Sequence, residues 1–233
     1  MKLLALETST ECCSVALRVG DTVQVLRRPG AREQTAHVLP LVQQLLAEAG
    51  IALRQLDAVA CAHGPGAFTG VRVAVSVAQG LAFGAGVPAI GISTLAALAQ
   101  QAVRTANAQY VLPALDARMG ELYAGAYVRG SDGLVESLLP DRLCRPEEFA
   151  AGVPAPHDWV GIGSGWSAYG AGQLGVSPQQ LIVAEPDALD VLALAARALA
   201  RGETVAPEQL IPVYLRDTVA WKKLDEQGKP EKR

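Results

Sequence analysis

The chain has 233 residues, half of them hydrophobic and 18% charged, with a net charge of −3. That is enough apolar material for one large domain or two small ones, and it excludes a disordered chain. The slight acidity argues against nucleic-acid binding by this chain on its own, because phosphate contacts need clustered cations.

Residues 2–7 (KLLALE) and 13–19 (CSVALRV) are apolar runs separated by ETSTEC, which reads as a hairpin, and the alternating TVQVLR at 22–27 makes a third strand. Residues 33–49 carry Val38, Leu41, Val42, Leu45 and Leu46 at helical spacing and stop at Gly50. Pro40 should bend that helix or set its start later. DAVACA at 57–62 has the profile of a buried parallel strand. A glycine loop follows, then a helix to about residue 84, a strand at 87–92, a cap at Ser93 or Thr94, and a helix over 95–104.

The pattern then restarts, with strands expected at 110–116, 121–128 and 134–139 and a helix at 187–201. Setting ALETS (5–9) over ALDAR (114–118) brings Glu7 over Asp116, and DWVGIGSGW (158–166) then mirrors AVACAHGPG (58–66). Hairpin, third strand, helix, strand, glycine turn and helix recur in both halves, so two α/β lobes facing a cleft are expected. The division is 1–106, 107–206, a closing segment 207–220 that packs on the first lobe, and a polar tail 221–233. That tail carries five basic and three acidic residues over 222–233, a weak footprint for RNA.

The four cysteines, Cys12, Cys13, Cys61 and Cys144, lack C-x-x-C spacing, and Cys61 reads as a buried reduced thiol. The start MKLLALETSTE meets Glu7 too early for a signal-peptide core. The apolar stretch 73–92 is broken by Gly80, Gly84, Gly86 and Pro88, which fits helix, turn and strand better than a membrane span. A cytoplasmic protein is expected.

The loop HGPGAFTGVR (63–72) invites a phosphate-binding reading. The P-loop pattern requires a Lys-Ser/Thr pair, and no lysine occurs between Lys2 and Lys222. Gly64, Gly66 and Gly70 give G-x-G-x-x-x-G, one residue longer than the dinucleotide pattern. A tight strand-to-helix turn is the better reading. Beyond it, Val71, Ala74, Val75, Ala78 and Ala82 form the core-facing stripe of the helix, and Val73, Ser76, Val77, Gly80 and Gly84 form a second. Glycine inside a helix costs about 1 kcal/mol against alanine, so Gly80 suggests a compensating close approach by another helix. That helix is either internal, such as 33–49, or another chain's. Arg72, in the first turn, either pairs with Glu7 or Asp116, meets an anion, or is solvated.

Glu7 and Asp116 end the first strands of their halves. Such acids hold metal-bound water in two-lobed ATPases, or else satisfy backbone N–H groups of the hairpin turns, which is favoured for Glu7. His37, His63 and His157 show no ligand spacing, so no metal site is expected, and His63 should hydrogen-bond its own turn. Gly161, Gly163 and Gly165 form a weak G-x-G-x-G.

LLALETSTECCSVAL, HGPGAFTGVRVAVSVAQGLAFG, LDARMGELYAGAY and PVYLRDTVAWKK, in that order, resemble the TsaB (YeaZ) family. The resemblance implies a degenerate two-lobed actin-like, Hsp70-like α/β fold, built as a ribonuclease H-like duplication. It implies a non-catalytic scaffold for the threonylcarbamoyl modification of tRNA adenosine. The partners it implies are TsaD, the catalytic subunit, TsaE, an ATPase, and a second copy when alone. ATP and a metal are expected in those partner subunits, not on this chain, and tRNA only through the complex; no membrane is implied. The resemblance implies a non-catalytic paralogue of TsaD: the His-x-x-x-His metal pair of TsaD aligns with Thr94, a poor ligand, and Leu98, which cannot coordinate. The partner interface expected from the resemblance and the helix faces is Thr35, Leu39, Gln43, Leu46, Arg72, Val73, Ser76, Val77, Gly80 and Gly84. Glu7, Thr8, Ser9, Gly64, Gly66 and Asp116 are expected either as plain turn residues or as the remnant of a degenerate nucleotide site. The competing reading is an autonomous actin-like ATPase or small-molecule kinase using Glu7, Asp116 and the glycine turns.

Overall fold

The computed structural model describes residues 1–30, 34–154 and 158–216. Lys2–Glu7 (β1) and Cys12–Val19 (β2) form the expected antiparallel hairpin, and Thr22–Pro29 (β3) extends it. Ala58–Ala62 (β4) joins β1 in parallel, and Ala89–Ile92 (β5) joins β4 in parallel. The order is β3-β2-β1-β4-β5. In the second half Tyr110–Arg118 (β6), Glu121–Arg129 (β7), Val135–Cys144 (β8), Trp159–Ile162 (β9) and Gln180–Ile182 (β10) give β10-β9-β6-β7-β8. Strand for strand, and in every pairing direction, the second sheet repeats the first. Two mixed sheets of this ribonuclease H-like order are the duplicated actin-like architecture.

Helices Gln34–Glu48 (α1) and Phe68–Ala85 (α2) cover the outer face of the first sheet. Ser164–Leu174 (α4) covers the outer face of the second. Thr94–Ala106 (α3) and Ala188–Ala200 (α5) lie between the sheets. β1 is therefore buried on both faces: Leu3 and Ala5 enter the central core, Leu4 and Leu6 the core beneath α1 and α2. Two covered faces demand a continuous apolar run, which KLLALE supplies. Phe68–Ala85 is long and apolar enough to cross a membrane. Its Val71, Ala74, Val75, Ala78 and Ala82 stripe is instead buried over β4.

The two middle helices are exchanged. α3 follows the first sheet yet packs on β6, β7 and β8, and α5 follows the second sheet yet packs on β1, β2 and β4. The chain division expected at 106/107 follows the sheets, whereas the helices cross it. Arg104 of α3 bridges Asp190 of α5 at 2.8 Å, and Arg27 of β3 bridges Asp187, which caps α5 by accepting from Leu189 N–H.

Three expectations change. The helix does not start after Pro40 but runs through it, because Val38, Leu41, Val42 and Leu45 are buried on the sheet while the proline ring faces solvent. The second half has no counterpart of α1 among the described residues: a single 3-10 turn at Pro146–Glu148 stands there, and β8 runs on past 139 to Cys144. The kinked α4 was not legible, because Gly165, Gly170 and Gly172 interrupt its periodicity and Gly170 sits at φ 71°. Residues 207–216 of the closing segment pack on α2: buried Leu210 joins the outer core, and its carbonyl accepts from Gln79 Nε2. His157, residues 217–220 and the tail 221–233 lie outside the described residues.

Candidate functional site

The glycine loop is a packing junction. Ala67 N–H donates to the Ser9 carbonyl (2.7 Å), and the Thr8 hydroxyl donates to the Gly70 carbonyl (2.7 Å). A Cβ on Gly66 would lie 2.6 Å from the Ser9 carbonyl oxygen, and one on Gly70 would overlap that of Thr8. Gly64, at φ +115°, leaves room for the Val213 carbonyl of the closing segment. The missing side chains thus admit protein backbone: Gly66 and Gly70 admit the β1–β2 turn, and Gly64 the closing segment. Glu7, Thr8, Ser9, Gly64 and Gly66 are brought together here, all of them buried or half-buried.

Glu7 is fully buried, and its Oε1 accepts from both the backbone N–H and the hydroxyl of Ser9, each at 2.5 Å. Its Oε2 has no hydrogen-bond partner among the described residues. Burial pushes this carboxyl up to about 7, with Asp187 and Glu185 adding to the rise and the Ser9 hydrogen bonds opposing it. Asp116 stands apart. It accepts from Arg118 N–H (2.9 Å), Arg118 Nη1 (3.0 Å) and the Tyr169 hydroxyl (3.4 Å). Each acid serves its own hairpin turn, and no hydrogen bond among the described residues joins them.

His63 differs from expectation. Its ring fills the space over Gly91 and hydrogen-bonds the Ile211 backbone rather than its own turn, and burial lowers its pKa. Thr94 and Leu98 are buried, with Leu98 in the central core. Among the described residues no three His, Cys, Asp or Glu side chains converge as a metal site.

The remaining expected residues share the outer surface made by α1 and α2. Thr35, Leu39 and Gln43 are exposed on α1, and Leu46 is half-buried against the outer core. On α2, Arg72, Ser76, Gly80 and Gly84 are exposed, while Val73 and Val77 are half-buried against the same core. Nothing lies within 4 Å of a Cβ built on Gly80 or Gly84. Among the described residues no helix therefore covers the smooth stripe at Gly80 and Gly84, and α1 packs beside it rather than over it. Exposed Leu39 and Phe83, the latter 78% accessible, add apolar surface. Arg72 pairs with neither Glu7 nor Asp116: its Nε donates to the Tyr214 hydroxyl at 2.7 Å, and its guanidinium lies over the Phe68 ring. Sequence reasoning missed Phe68, Phe83 and Tyr214. Tyr214 is 142 residues from Arg72, a separation that no periodicity spans.

A family model described as TsaD, tRNA N6-adenosine threonylcarbamoyltransferase, matches residues 28–224. The chain is 42% identical over 227 residues to a protein of Escherichia coli K12 named tRNA threonylcarbamoyladenosine biosynthesis protein TsaB, covering 96% of this chain and 98% of that one. It is 38% identical to the protein of the same name from Haemophilus influenzae, covering 96% and 97%. Among solved structures, YeaZ from Pseudomonas aeruginosa superposes with a TM-score of 0.87 at 44% identity, covering 92% of this chain and 99% of that one.

Proposed function

The chain belongs to the TsaB family, and from that premise we propose that it serves tRNA threonylcarbamoyladenosine synthesis as a non-catalytic subunit, holding TsaD through the outer faces of α1 and α2. The observation that carries this reading is the unfilled stripe Ser76, Gly80 and Gly84, flanked by half-buried Val73 and Val77 and by exposed Leu39 and Gln43. Interior glycine in a helix costs stability, and among the described residues nothing offsets it at Gly80. A facing helix that approaches closely does. In this reading TsaE, an ATPase, joins the pair, ATP and metal belong to the partner subunits, and tRNA is met through the complex. A second copy occupies the same face when TsaD is absent.

The non-catalytic part is supported by the junction chemistry. Glu7 Oε1 is taken by Ser9, and the Thr8 hydroxyl and Ser9 carbonyl are taken by the α2 loop, so most polar groups of the turn are spent on the fold, Glu7 Oε2 excepted. Co-purification with TsaD tests the reading: Gly80→Leu abolishes capture while the chain melts as wild type does. Retained capture overturns the interface. Calorimetry with Mg-ATP tests the competing enzyme: heat of binding to the isolated chain, lost in Asp116→Asn, favours an ATPase instead.

A further inference from the structure

Three exposed side chains meet at the N-terminal end of α2. The Arg72 guanidinium lies 3.4 Å from the Phe68 ring centroid and 5.5 Å from that of Tyr214, and the two rings stand 5.8 Å apart. With Nε committed to the Tyr214 hydroxyl, a long and flexible side chain is held in one geometry, and its two Nη groups remain for other acceptors. Arg216, two residues after Tyr214, is tied to Glu121; among the described residues Arg72 is tied to no acid. The first turn of α2 carries no acidic residue either, so the helix end and the guanidinium present the same sign. Phe68 is 57% and Tyr214 43% accessible, leaving apolar ring surface around the charge. Arg72 also begins the stripe continued at i+4 and i+8 by Ser76 and Gly80.

We propose that Phe68, Arg72 and Tyr214 form a preset cationic anchor that receives a carboxylate of the partner subunit at one end of the α1–α2 face. The inference rests on the partner-binding reading above and adds the chemistry of one contact. A guanidinium fork matches a carboxylate bidentately, and stacking on the rings fixes it before the partner arrives, which lowers the ordering cost of binding. Arg and Tyr with an apolar surround have the composition of an interface hot spot. An RNA backbone would need a row of such cations, and among the described residues the cluster holds a single one.

The test measures TsaD binding to the full chain by calorimetry at two salt concentrations. Arg72→Ala weakens binding roughly tenfold to a hundredfold and flattens its salt dependence. Arg72→Lys recovers only part, having charge without the fork, and Tyr214→Phe, which keeps the ring, falls between. A role confined to holding the closing segment would move the melting temperature but not the salt slope. Arg72→Ala binding with wild-type affinity and slope overturns the anchor; if Gly80→Leu still abolishes binding, the partner face itself stands. Asp217→Asn weakening binding as Arg72→Ala does would mean that the anchor takes the chain's own next acid, and the proposal falls. It falls also if Arg72→Ala spares TsaD binding and weakens only tRNA crosslinking in the assembled complex.

Discussion

The Thr8 hydroxyl hydrogen-bonds the Gly70 carbonyl at 2.7 Å, and the absent side chain of Gly70 is what lets the Thr8 carbonyl come so near. The tip of the first hairpin and the first turn of α2 are thereby packed backbone to backbone. α2 is set on the fold at the same point that occupies the backbone of Thr8 and Ser9.

Gly70 and Gly80 sit on one helix and should answer alanine in opposite ways. At Gly70 the new methyl overlaps the Thr8 backbone, which cannot swing aside as a side-chain tip could. A loss of about 1–3 kcal/mol of unfolding free energy or more is expected, the range for overpacking with backbone shifts. At Gly80 the methyl enters open space, and the isolated chain gains about 0.5–1 kcal/mol from helix propensity. Urea unfolding of both variants checks the pair.

Glu7→Gln should stabilise the protein at neutral and alkaline pH and do little in acid. The folded state holds the Glu7 proton up to about 7, against an ordinary value of 4.5, so it binds that proton more tightly than the unfolded chain does. Stability from this group is then fully present below about 4.5 and lost as pH rises through about 7. Glutamine cannot ionise, and its gain at pH 8 reaches at most about 3 kcal/mol. Thermal melts at pH 5 and pH 8 read the difference. An equal effect at both values would mean that the carboxylate is not held neutral.

Arg104→Ala removes one half of the α3–α5 bridge and leaves Asp190 buried without its cation. Burial already raises the Asp190 carboxyl above the usual range against the pull of Arg104. Arg104 is partly solvated, so a cost of about 2 kcal/mol is expected, below that of a wholly buried pair. Arg104→Ala combined with Asp190→Asn should recover part of it, as a denaturation cycle of the two single variants and the double variant would reveal.

Asp141 accepts from the Ser93 hydroxyl and, at 2.6 Å, from the Tyr127 hydroxyl, while Ser93 itself caps α3. Asp141→Ala leaves the buried Tyr127 hydroxyl without an acceptor and frees the cap, at a cost of about 1–3 kcal/mol. Tyr127→Phe in that background should restore part of the loss, since it removes the orphaned donor.

What the sequence made legible was governed by local physics. Runs buried on two faces must be continuously apolar, which exposed β1 and β4, and the matching acids of ALETS and ALDAR exposed the duplication. The α2 stripe was legible for the same reason: helical spacing sorts Val71 and Ala74 from Ser76 and Gly80. Periodicity says that a helix has an apolar face but not which sheet will meet it, so the crossing of α3 and α5 was not written there. Nor was the hydrogen-bond partner of Arg72: Phe68, one turn away on the same helix, lies within reach of helical spacing, but Tyr214 arrives from the far end of the chain. A carboxylate two residues before Ser9 at a hairpin tip can satisfy its own turn, and Glu7 Oε1 does accept the Ser9 N–H.

The crossing of α3 and α5 has a consequence for how the two copies can part. Each half exports the helix that would have closed its own interior and imports the other's. Severed at the link before β6, neither fragment could fold by itself, yet mixed together they should reassemble, as the pieces of a split reporter do. A repeat that arose by copying has become indivisible, and denaturation should run as one cooperative transition with no stage at which a single half stands alone.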